Sequence, residues 1–303
     1  MVLLGAPSSI GLRPDHNTGR PQHVDAAPAA LRSLGVADRL GAEDLGDVLP
    51  PPYEDFVRPP RRARNEAGVA SYSRSLAGRV ATGLDRGRFE LVVGGDCSVV
   101  LGCLLGARAG GHEVGLAYVD AHADFATPDE SQTGSVASMA LALAVGRGDT
   151  PLARLTGPTP LVRPEHVALV CRRDEGQSYG HEALGASAIL DLTYAAVKSR
   201  MSAETTAAVF EHVAGANVAR FWVLVDVDVL DPSVMPATGS PEPNGPYVDE
   251  LATLVAPLVG HPKACGLALT LYDPSLDADR TSGERLITLL EKVLAGGSHV
   301  APA

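Results

Sequence analysis

Aromatic residues are scarce, only 4% of 303 positions. A core of any size must therefore be assembled mainly from Ala, Val and Leu, which the 45% hydrophobic content can supply. Four cysteines, Cys97, Cys103, Cys171 and Cys265, lie far apart with no CxxC pair. That spacing argues against a secreted disulfide scaffold. Positive charge is also short: the formal net charge is −11. That argues against an extended nucleic-acid surface or an anionic-membrane surface, though it does not identify a substrate. No apolar run reaches the roughly 18 residues that span a bilayer. The first residues, Met1-Val2-Leu3-Leu4-Gly5, lack the basic start and the apolar length of a signal peptide. A reducing cytoplasm is the expected compartment.

What is present is a rhythm. Short apolar runs at residues 2–4, 91–93, 114–119, 167–170, 188–190, 221–225 and 265–271 read as strands. Helix-like stretches at 26–40, 71–85, 99–109, 136–146, 203–214, 249–259 and 283–294 alternate with them. Strands apolar on both faces predict a mostly parallel sheet covered by helices, an α/β fold. Residues 49–64, rich in Pro and Arg, read as an extended surface loop, and the proline-rich residues 233–246 as a rigid wall. Neither resembles a linker, so residues 1–303 are expected to form a single domain.

Two strand ends carry the chemistry. Asp120-Ala121-His122-Ala123-Asp124 follows the run 114–119, and Asp226-Val227-Asp228 follows 221–225. Alternate side chains of a strand share a face. Asp120, His122 and Asp124 therefore start on one side, as do Asp226 and Asp228, although chain leaving the strand can re-aim Asp124. So many carboxylates in one place repel one another and resist desolvation unless cations compensate them. The pattern predicts a metal site holding two ions. A third segment, Gly94-Gly95-Asp96-Cys97-Ser98, also ends a strand, at the carboxyl edge where parallel sheets build their sites. Its paired glycines permit a tight turn into a helix. Taken alone, Cys97 reads first as a small buried cysteine in a packed turn, and second as a thiolate favoured by a helix start. Asp231, before a proline, reads as a turn residue.

These segments, extended by Val229-Leu230-Asp231-Pro232-Ser233-Val234-Met235-Pro236-Ala237-Thr238-Gly239-Ser240-Pro241, resemble the signatures of the ureohydrolase superfamily of arginases, agmatinases and formimidoylglutamases. The segments Ala27-Pro28-Ala29-Ala30-Leu31-Arg32 and Asp44-Leu45-Gly46-Asp47-Val48 are similar as well, so the resemblance covers most of the chain. It implies a three-layer αβα fold, arginase-like, whose mostly parallel sheet has about eight strands. It also implies two divalent ions, Mn²⁺ in the first place, bridged by water or hydroxide. On that pattern Asp120 and Asp226 fall on bridging positions and His122 and Asp228 on ligands of one ion. Asp124 falls on a ligand of the other, which Cys97 would complete, and it also relays a proton to the leaving amine. The implied reaction is hydrolysis of a linear C–N bond in a guanidino or amidino compound by a homo-oligomeric enzyme.

Four positions depart from the family pattern. Cys97 stands where histidine is usual, and a soft thiolate suits Zn²⁺, Fe²⁺ or Co²⁺ better than Mn²⁺; the position could equally be a protonated, packed thiol beside an empty site. Ala126 and Ala137 stand where arginases carry Asn and His, with Thr133 and Ser135 keeping part of the polar character for substrate. Leu271 replaces a usual Glu, with Asp273 two residues on. Asp174, in Arg172-Arg173-Asp174-Glu175, reads either as a contact to substrate or as part of a solvated charge cluster. A less basic substrate, such as a hydroxyguanidine or formimino compound, fits these changes. The rival readings are a non-catalytic metal-binding scaffold or sensor, and a deacetylase-like amide hydrolase. Among the remaining histidines, His16 and His23 lie on a loop that could approach the site.

Overall fold

A computed structural model describes residues 1–13, 22–54, 58–175, 180–200 and 202–295. His16 lies outside them. The strands are β1 (Val2–Gly5), β2 (Glu43–Asp47), β3 (Glu90–Val93), β4 (Val114–Val119), β5 (Val167–Arg172), β6 (Leu190–Thr193), β7 (Arg220–Asp226) and β8 (Ala264–Thr270). They form one sheet in the order β2-β1-β3-β8-β7-β4-β5-β6, and every pairing is parallel. The helices are α1 (Ala27–Ser33), α2 (Val36–Leu40), α3 (Glu66–Asp85), α4 (Val99–Ala107), α5 (Ala140–Ala144), α6 (His181–Gly185), α7 (Tyr194–Ser199), α8 (Ser202–Val213), α9 (Val248–Gly260) and α10 (Thr281–Leu294). The result is the expected three-layer αβα arrangement.

The central strands are buried on both faces because their residues are apolar at successive positions, with no polar alternation. The few aromatics are mostly inside, with Trp222, Tyr72, Tyr118, Phe125 and Phe221 fully buried in a core dominated by Val, Leu and Ala.

The elements depart from the sequence reading in several places; α6 and α7 stand where no helix is expected, and α3 begins at Glu66 ahead of the expected 71–85. The single helix expected over 26–40 is two, because Gly35 adopts φ +78° and ends the first. β2 has the sequence EDLGD and lies largely exposed at the sheet edge, so it carries no apolar run to announce it. β6 starts at Leu190, where the run 188–190 was expected to finish. Residues 137–139 form a 3₁₀ turn, which leaves only five residues of α5 from the helix expected at 136–146.

In spatial order β3, β8, β7 and β4 are consecutive, although their sequence order is not. Loops from distant parts of the chain therefore meet at one carboxyl edge, the region where parallel α/β sheets leave a crevice.

Candidate metal centre

The loop after β3 turns on Gly94 and Gly95, at φ +90° and +84°. A side chain at Gly95 would put its Cβ 2.6 Å from the Ala6 carbonyl oxygen, so the turn closes only on glycine. Asp96 fixes the turn, accepting hydrogen bonds from the Gly11 N–H at 3.0 Å and the Ser98 N–H at 2.9 Å. Cys97 is thereby buried under the edge, and its thiol donates to Asp226 Oδ2 at 2.8 Å.

At the end of β4 the chain folds back over its own carboxylates. The His122 N–H donates to Asp120 Oδ1 at 2.7 Å, and the Ala123 N–H donates to Asp174 Oδ2 at 2.9 Å. Asp124 has left the strand, with φ +46°, and its carboxylate accepts a hydrogen bond from the Tyr118 hydroxyl at 2.6 Å. At the end of β7 a 3₁₀ turn, Val227–Val229, carries Asp228, whose N–H donates to Asp226 Oδ1 at 3.0 Å. Asp226 pairs in register with Thr270 of β8, and the Thr270 hydroxyl donates to its Oδ2 at 3.2 Å.

These side chains converge. Among the described residues, two groups hold ligand atoms within 4.8 Å of one another: Cys97, Asp120 and Asp124, and Asp120, His122 and Asp228. Asp120 belongs to both. Asp226 stands against the first through its contact with Cys97. His122 Nδ1 lies 3.0 Å from Asp228 and 3.6 Å from Asp120, while Nε2 faces Glu242 Oε1 at 3.8 Å. An imidazole with its Nε2–H toward a carboxylate keeps the Nδ1 lone pair for the ligand side.

The electrostatics say what the cluster lacks. Burial and then the neighbouring carboxylates push Asp120 and Asp226 well above the usual carboxylate range. Burial raises Asp124 to about 7, against the Tyr118 hydrogen bond. Burial acts to lower the pKa of His122, but Asp228 and Asp120 outweigh it and hold the imidazolium form well above its ordinary range. Burial, then Asp226, raises the Cys97 thiol. Without cations the cluster must hold protons, and Asp120 Oδ2 is buried with no hydrogen-bond partner. Divalent cations would displace those protons and occupy the unused oxygen, so the donor set fits a metal centre.

The other candidate residues are engaged elsewhere. Thr133 Oγ1 accepts from the Ser135 N–H, and Ser135 Oγ donates to the Gly11 carbonyl. Thr133 thus braces the loop after Asp124 internally and Ser135 ties it to Gly11, while Arg58 and Arg64 hold that loop from residues 58–64. Within the segment read as a plain surface loop, residues 58–64 therefore clamp a neighbouring loop. Asp174 is buried, and besides Ala123 it faces Arg172 at 3.5 Å and His181 at 3.4 Å. Arg172 pairs with Asp191 at 2.6 Å. Arg173 donates to the carbonyls of Asp228, Val229, Glu242 and Pro243. It thus ties residues 233–246 to the ligand-bearing end of β7, which gives that segment the rigidity its prolines suggest. Asp273 accepts from the His23 N–H and from the Ser275 N–H and hydroxyl. Ala126, Ala137 and Leu271 are buried, Leu271 with φ +63°. Asp231 closes its turn, as expected, by accepting from Ser233 and Gly245.

Tyr118, Thr270 and Glu242 touch the cluster without having been singled out. Tyr118 and Thr270 sit in apolar strand runs and read as core, but each lies on a ligand strand or beside one, and strand alternation puts Tyr118 on the face of Asp120.

The model of the arginase family matches residues 1–295. The arginase of Bacillus caldovelox is 34% identical over 251 residues, which is 79% of each chain. Its native structure at pH 5.6 superposes with a TM-score of 0.83 at 28% identity, covering 97% of both chains. The formimidoylglutamase of Bacillus subtilis shares the fold, with a TM-score of 0.74 at 20% identity over all of this chain and 88% of that one. The chain belongs to the arginase family, the hydrolases of C–N bonds in linear amidines. No helix among the described residues is long and apolar enough to cross a membrane.

Proposed function

We propose that the chain is a two-metal amidinohydrolase acting on a small guanidino or amidino compound less basic than a simple alkylguanidine, such as a hydroxyguanidine or a formimino group. The observation that carries this reading is the pair of ligand groups sharing Asp120, whose Oδ2 is buried and unused. Cys97, Asp120 and Asp124 would hold one ion, and Asp120, His122 and Asp228 the other, with Asp226 as the second bridging candidate. Mn²⁺ fits the carboxylate-rich donors, and the thiol of Cys97 opens the first position to Zn²⁺, Fe²⁺ or Co²⁺. When bound, such ions lower the pKa of water and supply the nucleophile for attack on an amidine carbon.

The protein's own groups do the rest. Asp124, turned back toward the cluster and held by the Tyr118 hydroxyl, is the group that would pass a proton to the leaving nitrogen. Arg173 keeps the Asp228 and Glu242 backbones in fixed relation. At the end of β8, Leu271 offers no charge, and Asp273 already accepts three hydrogen bonds. Among the described residues a guanidinium placed there would meet no carboxylate left without hydrogen bonds, which favours a substrate of lower basicity. Thr133, Ser135 and Asp174 shape the substrate pocket by bracing its loops. The four cysteines are free, which suits the reducing cytoplasm proposed for the chain, and a homo-oligomer is the form that the family resemblance implies.

The test is a screen of the Mn²⁺-loaded protein against arginine, hydroxyguanidino, formimino and N-acetylated amine compounds. Metal-dependent release of urea from guanidines, hydroxyurea from hydroxyguanidines or formamide from formimino compounds is expected, fastest from the less basic members. Turnover confined to acetylated amines would move the protein to amide hydrolysis. No turnover on any compound would contradict the reading.

A further inference from the structure

We propose that Tyr118 is a positioning residue that aims Asp124 at one of the two metal positions, an inference that rests on the two-metal reading above. Tyr118 lies in β4 with no exposure to solvent. It is two residues before Asp120, so both side chains leave the strand on the same face. The ring stands beneath the cluster and its hydroxyl donates to Asp124 Oδ2 at 2.6 Å.

Three features make that bond more than packing. Asp124 sits at φ +46°, a left-handed conformation that an L-residue enters at a cost and that a tight contact must maintain. A carboxylate has two oxygens, and fixing one on a buried hydroxyl fixes the plane in which the other presents itself. The group that Asp124 joins also contains Cys97, whose thiol points to Asp226. With a soft donor in place of an imidazole, that position depends more heavily on the aim of its carboxylates. Asp120 serves both groups, so Asp124 is the carboxylate particular to this one.

Tyr118→Phe keeps the ring and deletes the hydroxyl, and the full-length chain is titrated with Mn²⁺ by calorimetry without substrate. Wild type is expected to show two binding events. The variant should lose affinity at one of them by about 10- to 100-fold and keep the other. His122→Ala, which removes a ligand of the opposite group, should weaken the event that Tyr118→Phe spares. Two unchanged events overturn the proposal. So does an equal weakening of both, or a lowered melting temperature with both affinities intact, because those mark a structural role alone. A wild type that binds two ions and hydrolyses nothing defeats the functional reading but leaves this result standing. A wild type that binds no ion overturns both.

Discussion

Cys97 shows how much a single atom decides at the residue scale. Its thiol donates into the carboxylate cluster at 2.8 Å, in the place where an imidazole would offer a harder nitrogen. Cys97→His should raise Mn²⁺ affinity about tenfold or more in direct titration; an unchanged affinity would remove Cys97 from the ligand set. Glu242 makes a second case. Its carboxylate faces His122 Nε2, so Glu242→Ala should weaken the ion held by His122 about tenfold while Glu242→Gln retains part of that affinity. Equal affinities in all three proteins would show that Glu242 does not orient the imidazole. The five residues of the two Asp-rich motifs were legible in the sequence because clustered carboxylates at the ends of buried apolar strands are too costly to keep without cations. Tyr118 and Thr270 were not, since a hydroxyl inside an apolar run gives no sign of its partner. Asp174 was legible only as a substrate contact or a member of a solvated charge cluster; its burial and its bond to the backbone of Ala123, beside Arg172 and His181, join parts of the chain that no local pattern links.

Each ligand arrives at the end of an element, and the elements fail or hold by their turns. The β3–α4 turn depends on Gly95, where φ is +84° and a Cβ would press on the Ala6 carbonyl at 2.6 Å. Gly95→Ala should cost about 2–4 kcal/mol from backbone strain and steric conflict together. Chemical denaturation measures it, and a loss under about 0.5 kcal/mol would mean the turn relaxes freely. The β4 and β7 strands were read directly from hydrophobic runs, and both end one residue from their predicted limits or at them. β2 was invisible because an edge strand with one paired side needs no apolar face. The division of α1 from α2 turned on a left-handed glycine, whose conformation is set by packing around it as much as by its identity.

The whole molecule separates its chemistry from its stability. The metal cluster occupies one edge of the sheet, while Glu90 lies at the start of β3, at the opposite end, with both carboxylate oxygens buried and unpartnered. Burial raises its pKa from 4.5 to about 7, against the pull of Arg88. Between those two values the unfolded chain releases a proton that the folded chain keeps, so stability falls as pH rises through that window and levels off above it. Glu90→Gln should remove this fall, gaining up to about 3 kcal/mol on wild type between roughly pH 4.5 and pH 8. Parallel pH-dependent melts that do not diverge would contradict it. The α/β class and the parallel sheet followed from strands apolar on both faces, whereas the strand order, with β8 and β7 set between β3 and β4, had no local signature. That order is what brings Cys97, Asp120 and Asp226 together, and with them the paired cations on which the proposed activity depends. Elemental analysis of the gently purified native protein tests this most directly. Close to two divalent metal ions per chain are expected, lost together with hydrolysis on chelation. A chain that carries no metal, takes up none on reconstitution with Mn²⁺ or Zn²⁺, and folds with the cluster intact would contradict it.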